Sequence, residues 1–236
     1  MEQDALGYLV DLGYEMEPLV ETDKGLFSKK RLERVLRPTA ETLQVSTLTS
    51  IVDYIKADID SVPGKYLIQV VSPKEVKVLT PLNEDEVREE IINARAMLPD
   101  NIRYDQFLST EKFNIMLQSG FSDIGDKALV LKFTGLIRDE AVQETGDDGI
   151  SQKVTIKTGI TTVGGAQVPN PVTLAPYRTF QEIDQVESKF IFRMKEGPHA
   201  AIFEADGGAW KNKAMRRIKE FLEKELEELD YVKVIS

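Results

Sequence analysis

Residues Ile150 to Val163 repeat with a period of two. Gln152, Val154, Ile156, Thr158, Ile160 and Thr162 fall on one side of an extended chain, and Ser151, Lys153, Thr155, Lys157 and Thr161 on the other. That period belongs to a β-strand, in which successive side chains point to opposite faces. The stretch before it, Ala128 to Ile137, is rich in β-branched and aromatic residues that suit a pleated surface. Between the two, a polar run leads into Gly146-Asp147-Asp148-Gly149, residue types that tolerate the positive φ of a tight turn. The spacing predicts a hairpin tipped by Asp147 and Asp148. At about 3.3 Å per residue it would reach roughly 45 Å, against ~17–20 Å for an ordinary strand. Its outer half, Arg138 to Lys157, is too polar for a core. Such a ribbon presents rows of unpaired backbone groups that proteins normally cover or blunt. The expectation is therefore an arm lying on a neighbouring copy of the chain; the alternative is a solvated hairpin folded back on its own domain.

The arm is followed by Gly164-Gly165-Ala166-Gln167-Val168-Pro169-Asn170-Pro171, a loop punctuated by glycine and proline. Val172 to Phe180 reads as an extended edge segment, because Pro176 lacks the donor a central strand needs. Lys189–Met194 and Ala200–Glu204 form a second, shorter hairpin. The expected contacts between copies are Asp147, Asp148, Val154 and Ile156 from the arm, with Pro169, Pro171 and Tyr177 from the segment after it.

Three runs in this half, VTIKTGITTVGGAQVPNPVTLAPYRTF, ESKFIFRMKEG and AIFEADGGAWK, resemble the YfdQ-like family of prophage proteins. Thr47 to Lys56 and Phe113 to Ser119 fit the same likeness, which runs from about Ser46 to the C-terminal helix. The resemblance implies a temperate-phage gene product made in bacterial cytoplasm. It brings no catalytic residues with it.

Elsewhere the chain reads as helices and a small hairpin. Gln3–Leu12 is a short helix ended by Gly13 and Pro18, and Lys29–Leu36 a second one, capped by Ser28 and stopped by Pro38. Ser46–Asp60 is amphipathic, with Leu48, Ile51, Val52, Ile55 and Ile59 on one stripe. Tyr66–Val71 and Glu75–Leu79 pair across Ser72-Pro73-Lys74. Glu84–Leu98 reads as a helix with an acidic first turn, turning Val87, Ile91, Ala94 and Leu98 inward. Thr110–Ser119 is another, with Gly120 just past its end. Ala209–Leu229 closes the chain, its apolar face running through Trp210, Ala214, Ile218, Phe221, Leu222, Leu226 and Leu229. Basic residues crowd the first half of this helix and acidic ones the second, the reverse of the order its dipole prefers. That reversal suggests a head-to-tail electrostatic contact between copies, or internal pairs such as Arg216–Glu220.

The predicted fold is α+β: an antiparallel β-meander with a long extended hairpin arm, N-terminal helices and a C-terminal amphipathic helix. Residues 1–45 read as an N-terminal arm with short helices, and 46–236 as one α+β domain that includes the hairpin arm 138–163.

Chemistry is sparse. There is no cysteine, hence no disulfide, cysteine metal site or thiol nucleophile. His199 is the one histidine and has no catalytic or zinc-binding neighbours in sequence. No phosphate-binding or nucleophile-elbow motif occurs. Asp147 and Asp148 could bind a cation, but their turn explains them fully; the carboxylates of Glu204 and Asp206 could bind Mg²⁺ or cap the last helix, capping being the safer choice. Neither enzymatic activity nor a cofactor is expected. No apolar run approaches the ~20 residues of a membrane span, and no leader-like N-terminus is apparent. Against nucleic acid stands a formal net charge of −10, although Lys29, Lys30, Arg31 and Arg34, with Lys211, Lys213, Arg216 and Arg217, form two basic clusters that could meet phosphate or an acidic partner.

These features favour a non-catalytic structural protein, cytoplasmic in a bacterial host, that assembles with itself into a symmetric homo-oligomer, a closed cage or capsid-like shell being the form that leaves no free edge. The alternative is a nucleic-acid-binding accessory factor in phage replication or recombination. An enzyme or small-molecule binding module is a third, weaker reading.

Overall fold

The structure is a computed structural model that describes residues 2–16, 19–22, 25–28, 39–62, 64–83, 86–135, 143–147, 152–158, 161–167, 169–195, 197 and 199–236. The chain divides into two compact units, Met1–Ala40 and Glu41–Ser236.

The first unit holds α1 (Glu2–Met16) and an antiparallel hairpin of β1 (Leu19–Thr22) and β2 (Gly25–Ser28). α1 passes straight through Gly13 rather than ending there, and the hairpin is an element the sequence does not announce. The expected helix Lys29–Leu36, with Lys29, Lys30, Arg31 and Arg34, lies outside the described residues.

The second unit is α+β. Its elements begin with β3 (Leu43–Val45), α2 (Leu48–Lys56), β4 (Tyr66–Ser72), β5 (Glu75–Leu79), β6 (Glu90–Arg95) and β7 (Leu108–Ser109). There follow α3 (Thr110–Gly120), α4 (Lys127–Gly135), β8 (Gln143–Asp147), β9 (Gln152–Thr158), β10 (Thr161–Gln167) and β11 (Val172–Leu174). The chain ends with β12 (Ser188–Lys195), β13 (His199–Glu204), α5 (Ala209–Glu225) and β14 (Val232–Ile235).

One sheet runs β14-β4-β5-β6-β3, antiparallel at its centre with a parallel strand at each edge. Alternation along β4 and β5 turns Tyr66, Ile68, Val70, Val76 and Val78 inward. α2 and α5 cover that face: Leu48, Ile51 and Ile55 at helical spacing, and Ile218, Leu222 and Leu226 likewise, complete the core. Each such side chain contributes about 1.5–3 kcal/mol on burial. Thr47 caps α2 by accepting the Ser50 N–H. Ile59, expected on the inward stripe, is exposed, because α2 stops at Lys56 and the chain turns through positive φ at Asp58 and Ser61.

A second sheet runs β11-β12-β13-β7, entirely antiparallel. Val172, Leu174, Phe190, Phe192, Met194, Ala200 and Ile202 pack against Phe113, Met116 and Leu117 of α3 and Val130 of α4. β11 is an edge strand, as the prolines around it require. The hairpin β12–β13 and α3 lie where the sequence places them, with Gly120 the last residue of α3 rather than the one beyond it, while α2 and α5 are found at the expected places but end at Lys56 and Glu225, short of Asp60 and Leu229.

Three expectations fail. Ala128–Ile137 has the composition of a strand, but Lys127–Gly135 is helix; Lys127, Val130 and Thr134 are its buried side, a spacing that only a helix aligns. Glu84–Leu98 has helical spacing, but Glu90–Arg95 is strand β6, held by β5 on one side and β3 on the other; Val87 is exposed, and Glu84 and Asp85 lie outside the described residues. The arm is a three-stranded antiparallel meander, β10-β9-β8, rather than one long pair. The strand expected over 150–163 divides, so that Thr161 pairs back on Thr158 across Gly159 and Ile160. The run Gly164–Gln167, expected as loop, belongs to β10. Gly146 and Asp147, expected at the tip, are strand residues that pair with Lys153 and Gln152, and residues 148–151 lie outside the described residues.

Candidate functional site

The ribbon is the first feature with functional potential. β9 is flanked by β8 and β10, so its own backbone is satisfied on both sides. Among the described residues, β8 and β10 pair with no strand other than β9, and each has an outer edge. Val154 sits at a register position between Glu144 and Ala166, and Ile156 opposite Val163. Asp147 ends β8, and Asp148 lies outside the described residues.

The remaining expected contact residues belong to the strap that follows. Pro169 is half-buried and Pro171 exposed, with a cis peptide between Asn170 and Pro171. Tyr177 is half-buried, and its N–H donates to the Gly120 carbonyl at 2.9 Å, tying the strap to the end of α3.

From Ala175 to Glu187 the chain carries no regular element, yet it is among the most buried segments of the unit. Phe180 and Ile183 enter the core of the five-stranded sheet. The Thr179 hydroxyl donates to the Pro73 carbonyl at 2.6 Å. Glu182 accepts the Leu48 N–H at 2.6 Å and the Thr49 N–H at 3.2 Å, placing a carboxylate on the positive end of α2.

At the centre of the strap is Arg178, 4% exposed. Its Nη1 donates to Glu204 Oε1 at 2.7 Å, while Nη2 donates to the Ser188 hydroxyl and, at 3.4 Å, to the Val186 carbonyl. Gln185 Oε1 accepts the Arg178 N–H at 3.1 Å. The guanidinium lies 3.8 Å over the Trp210 ring and 5.7 Å from the Phe190 ring centroid, a cation–π sandwich. Burial lowers the Arg178 pKa, and the charges of Tyr104, Glu204 and Asp206 act in the other direction. Tyr104, stacked on Phe190 at 5.8 Å, is in turn pushed up to about 12, first by burial. One residue thus ties the strap to β12, β13 and α5. Asp206 completes the junction by accepting the N–H groups of Gly208 and Trp210 at the start of α5, the capping role expected of it. Nothing in the periodicity of the sequence marks Arg178, whose side-chain partners lie 8, 10 and 26 residues away.

The second basic cluster is on α5. Lys211, Lys213 and Arg216 are exposed. Arg217 is engaged within the unit, donating to the Asp184 carbonyl at 2.8 Å and the Gln185 carbonyl at 3.2 Å. The i,i+4 ion pair found on α5 is Lys219–Glu223 at 3.7 Å, not Arg216–Glu220. A shallow groove of about 420 Å³ runs along this helix, lined by Met215, Arg216, Lys219 and Glu223 among others. His199 opens β13 opposite Lys195 and is half-buried. Among the described residues no group of three or more His, Asp or Glu is placed to hold a metal ion, and no helix is long and apolar enough to cross a membrane.

Compared with protein-family models, with curated proteins and with solved structures, the chain matches none.

Proposed function

We propose that this chain is a non-catalytic structural subunit that assembles with itself into a symmetric homo-oligomer, with a closed cage or capsid-like shell as the form in which every edge is covered. The observation that carries this reading is the ribbon β8–β10. Its three strands hydrogen-bond only to one another among the described residues and leave two outer rows of backbone donors and acceptors. Isolated edges of this kind invite another strand, and in a homo-oligomer the nearest source is another copy. The exposed apolar residues of α1, Leu6, Leu9 and Val10, add a second surface that assembly would cover. The bacterial, prophage setting rests on the likeness of the PNPVTLAPYRTF region to the YfdQ-like family. In that setting the assembly would be a cytoplasmic phage product.

Size-exclusion chromatography with light scattering at micromolar concentration tests the reading. A mass of several chains is expected, and a monodisperse monomer would overturn it.

A second reading has one observation in its favour: Lys211, Lys213 and Arg216 stand exposed on the first half of α5. A nucleic-acid accessory factor would use them for phosphate contacts, and single-stranded DNA would be retained at 50 mM salt and released as salt rises. The net charge of −10 opposes this.

A further inference from the structure

We propose that β10 is the assembling edge, and that it pairs antiparallel with β10 of a second copy across a two-fold axis at Thr162. This rests on the assembly reading above and names the strand and partner it requires.

The other sheet edges of the second unit are protected. β3 has three residues and β7 two, too few to template a partner. β11 lies among Pro169, Pro171 and Pro176. β14 carries the exposed Lys233, and an edge lysine is a common guard against pairing. β8 carries Glu144 and Asp147 and a register shift between Glu144 and Gly146. β10 differs from all of them: its seven residues, Thr-Thr-Val-Gly-Gly-Ala-Gln, contain neither charge nor proline. Its ladder with β9 shifts register between Val163 and Ala166 and resumes through Gln167, so the edge spans more residues than β3 or β7.

The register fixes which groups face outward. Thr158 and Thr161 pair across two residues, and the pair that closes a two-residue hairpin exchanges both of its hydrogen bonds. Pairs alternate along an antiparallel ladder, so Thr162, opposite Lys157, turns its N–H and C=O away from β9. A second β10, antiparallel and centred on the same residue, would meet Thr162 with Thr162, each N–H donating to the other's carbonyl. Cross-strand threonine pairs are favourable. The three-stranded sheets of two copies would then join into one continuous sheet.

Charge decides which outer strand of the ribbon a second copy would meet. Copies with a net charge of −10 repel one another. Antiparallel self-pairing of β8 would bring the carboxylates of Glu144 and Asp147 of two copies together, whereas β10 brings together none.

The chain lacks cysteine, so Thr162→Cys creates a single thiol. In the proposed pair the two Cα atoms would be roughly 5.5 Å apart, within disulfide reach. Gln143→Cys on β8 is the control, since outer β8 strands would lie about 24 Å apart at five strand spacings. Under mild oxidation the Thr162→Cys protein is expected to form a disulfide-linked dimer on denaturing gels, and the Gln143→Cys protein to remain monomeric there. Thr162→Pro, which removes an outward donor and leaves the β9 ladder intact, is expected to at least halve the native mass. Thr162→Lys should do the same if the proline variant does not fold. If wild-type protein is oligomeric but Thr162→Cys fails to cross-link, the edge proposal is overturned and the assembly reading stands. A monomeric wild type overturns both.

Discussion

Arg178 shows how much one side chain can hold in place. Its charge is buried against Trp210 and Phe190, and its hydrogen bonds reach Glu204, Ser188 and Val186. Truncating one member of a buried ion pair typically costs about 3–5 kcal/mol, because the partners lose their compensation. Arg178→Ala should therefore destabilise by that order in urea unfolding. Glu204→Gln keeps an acceptor at a position 37% exposed, and should cost about 1–2 kcal/mol. An Arg178→Ala variant within 1 kcal/mol of wild type would show that the strap is held without it, by Phe180, Ile183, Thr179 and Glu182. The tyrosines give a second test at this scale. Tyr54 and Tyr66 are held above the ordinary value of 10.0 first by burial and then, for Tyr54, by its hydrogen bond to Asp60, and Tyr104 is pushed up to about 12. A folded pKa above the unfolded one favours the protonated native form, so this contribution is complete below pH 10 and lost as pH rises through the folded values. Ultraviolet titration should show three of the seven tyrosines ionising late, together with loss of structure above about pH 11. All seven titrating together near pH 10 in folded protein would contradict the burial described.

At the scale of elements, α4 depends on a residue that an apolar pattern would not select. Lys127 is 6% exposed and its Nζ donates to the Phe121 carbonyl at 2.6 Å, the Gln118 carbonyl at 3.3 Å and Asp123 Oδ1 at 2.6 Å. It brings positive charge to the C-terminal end of α3, where the helix dipole favours it. Lys127→Ala should cost about 2–3 kcal/mol, while the exposed Lys132→Ala on the same helix should stay within about 0.5 kcal/mol; equal effects in thermal unfolding would exclude the capping role. The same helix explains where sequence reasoning stops. Its buried side includes a lysine and a threonine, and Leu129 is exposed, so the apolar run from Ala128 looks like a strand. β6 errs the other way: Val87, Ile91, Ala94 and Leu98 happen to match helical spacing, but flanking strands on both sides supply a ladder that overrides it. β14 is a four-residue strand, too short to show a period. α5 was legible because Trp210, Ala214, Ile218 and Leu222 keep one face over four turns. The ribbon was legible as an extended, polar, strand-forming segment, but its second reversal was not, since Gly159 and Ile160 interrupt no alternation. The Arg178 cluster was invisible because its members come together only when the strap folds.

For the molecule as a whole, assembly and charge oppose one another. Copies at −10 repel, and salt screens exposed charges beyond about 8 Å at physiological strength. The oligomer is therefore expected to strengthen as salt rises from 20 to 300 mM, the reverse of a complex held by contacts to nucleic acid. Light scattering across that range distinguishes the two. The most direct measurement is amide hydrogen exchange of the peptide spanning Thr161–Gln167, followed from nanomolar to tens of micromolar protein. If another copy supplies the missing backbone partners, protection of this peptide should rise with concentration in step with the oligomer, while the α2 and β4 amides stay protected throughout. Exchange of Thr161–Gln167 that is unchanged across the whole range, in protein shown to be oligomeric at its upper end, would contradict the ribbon as the assembling element.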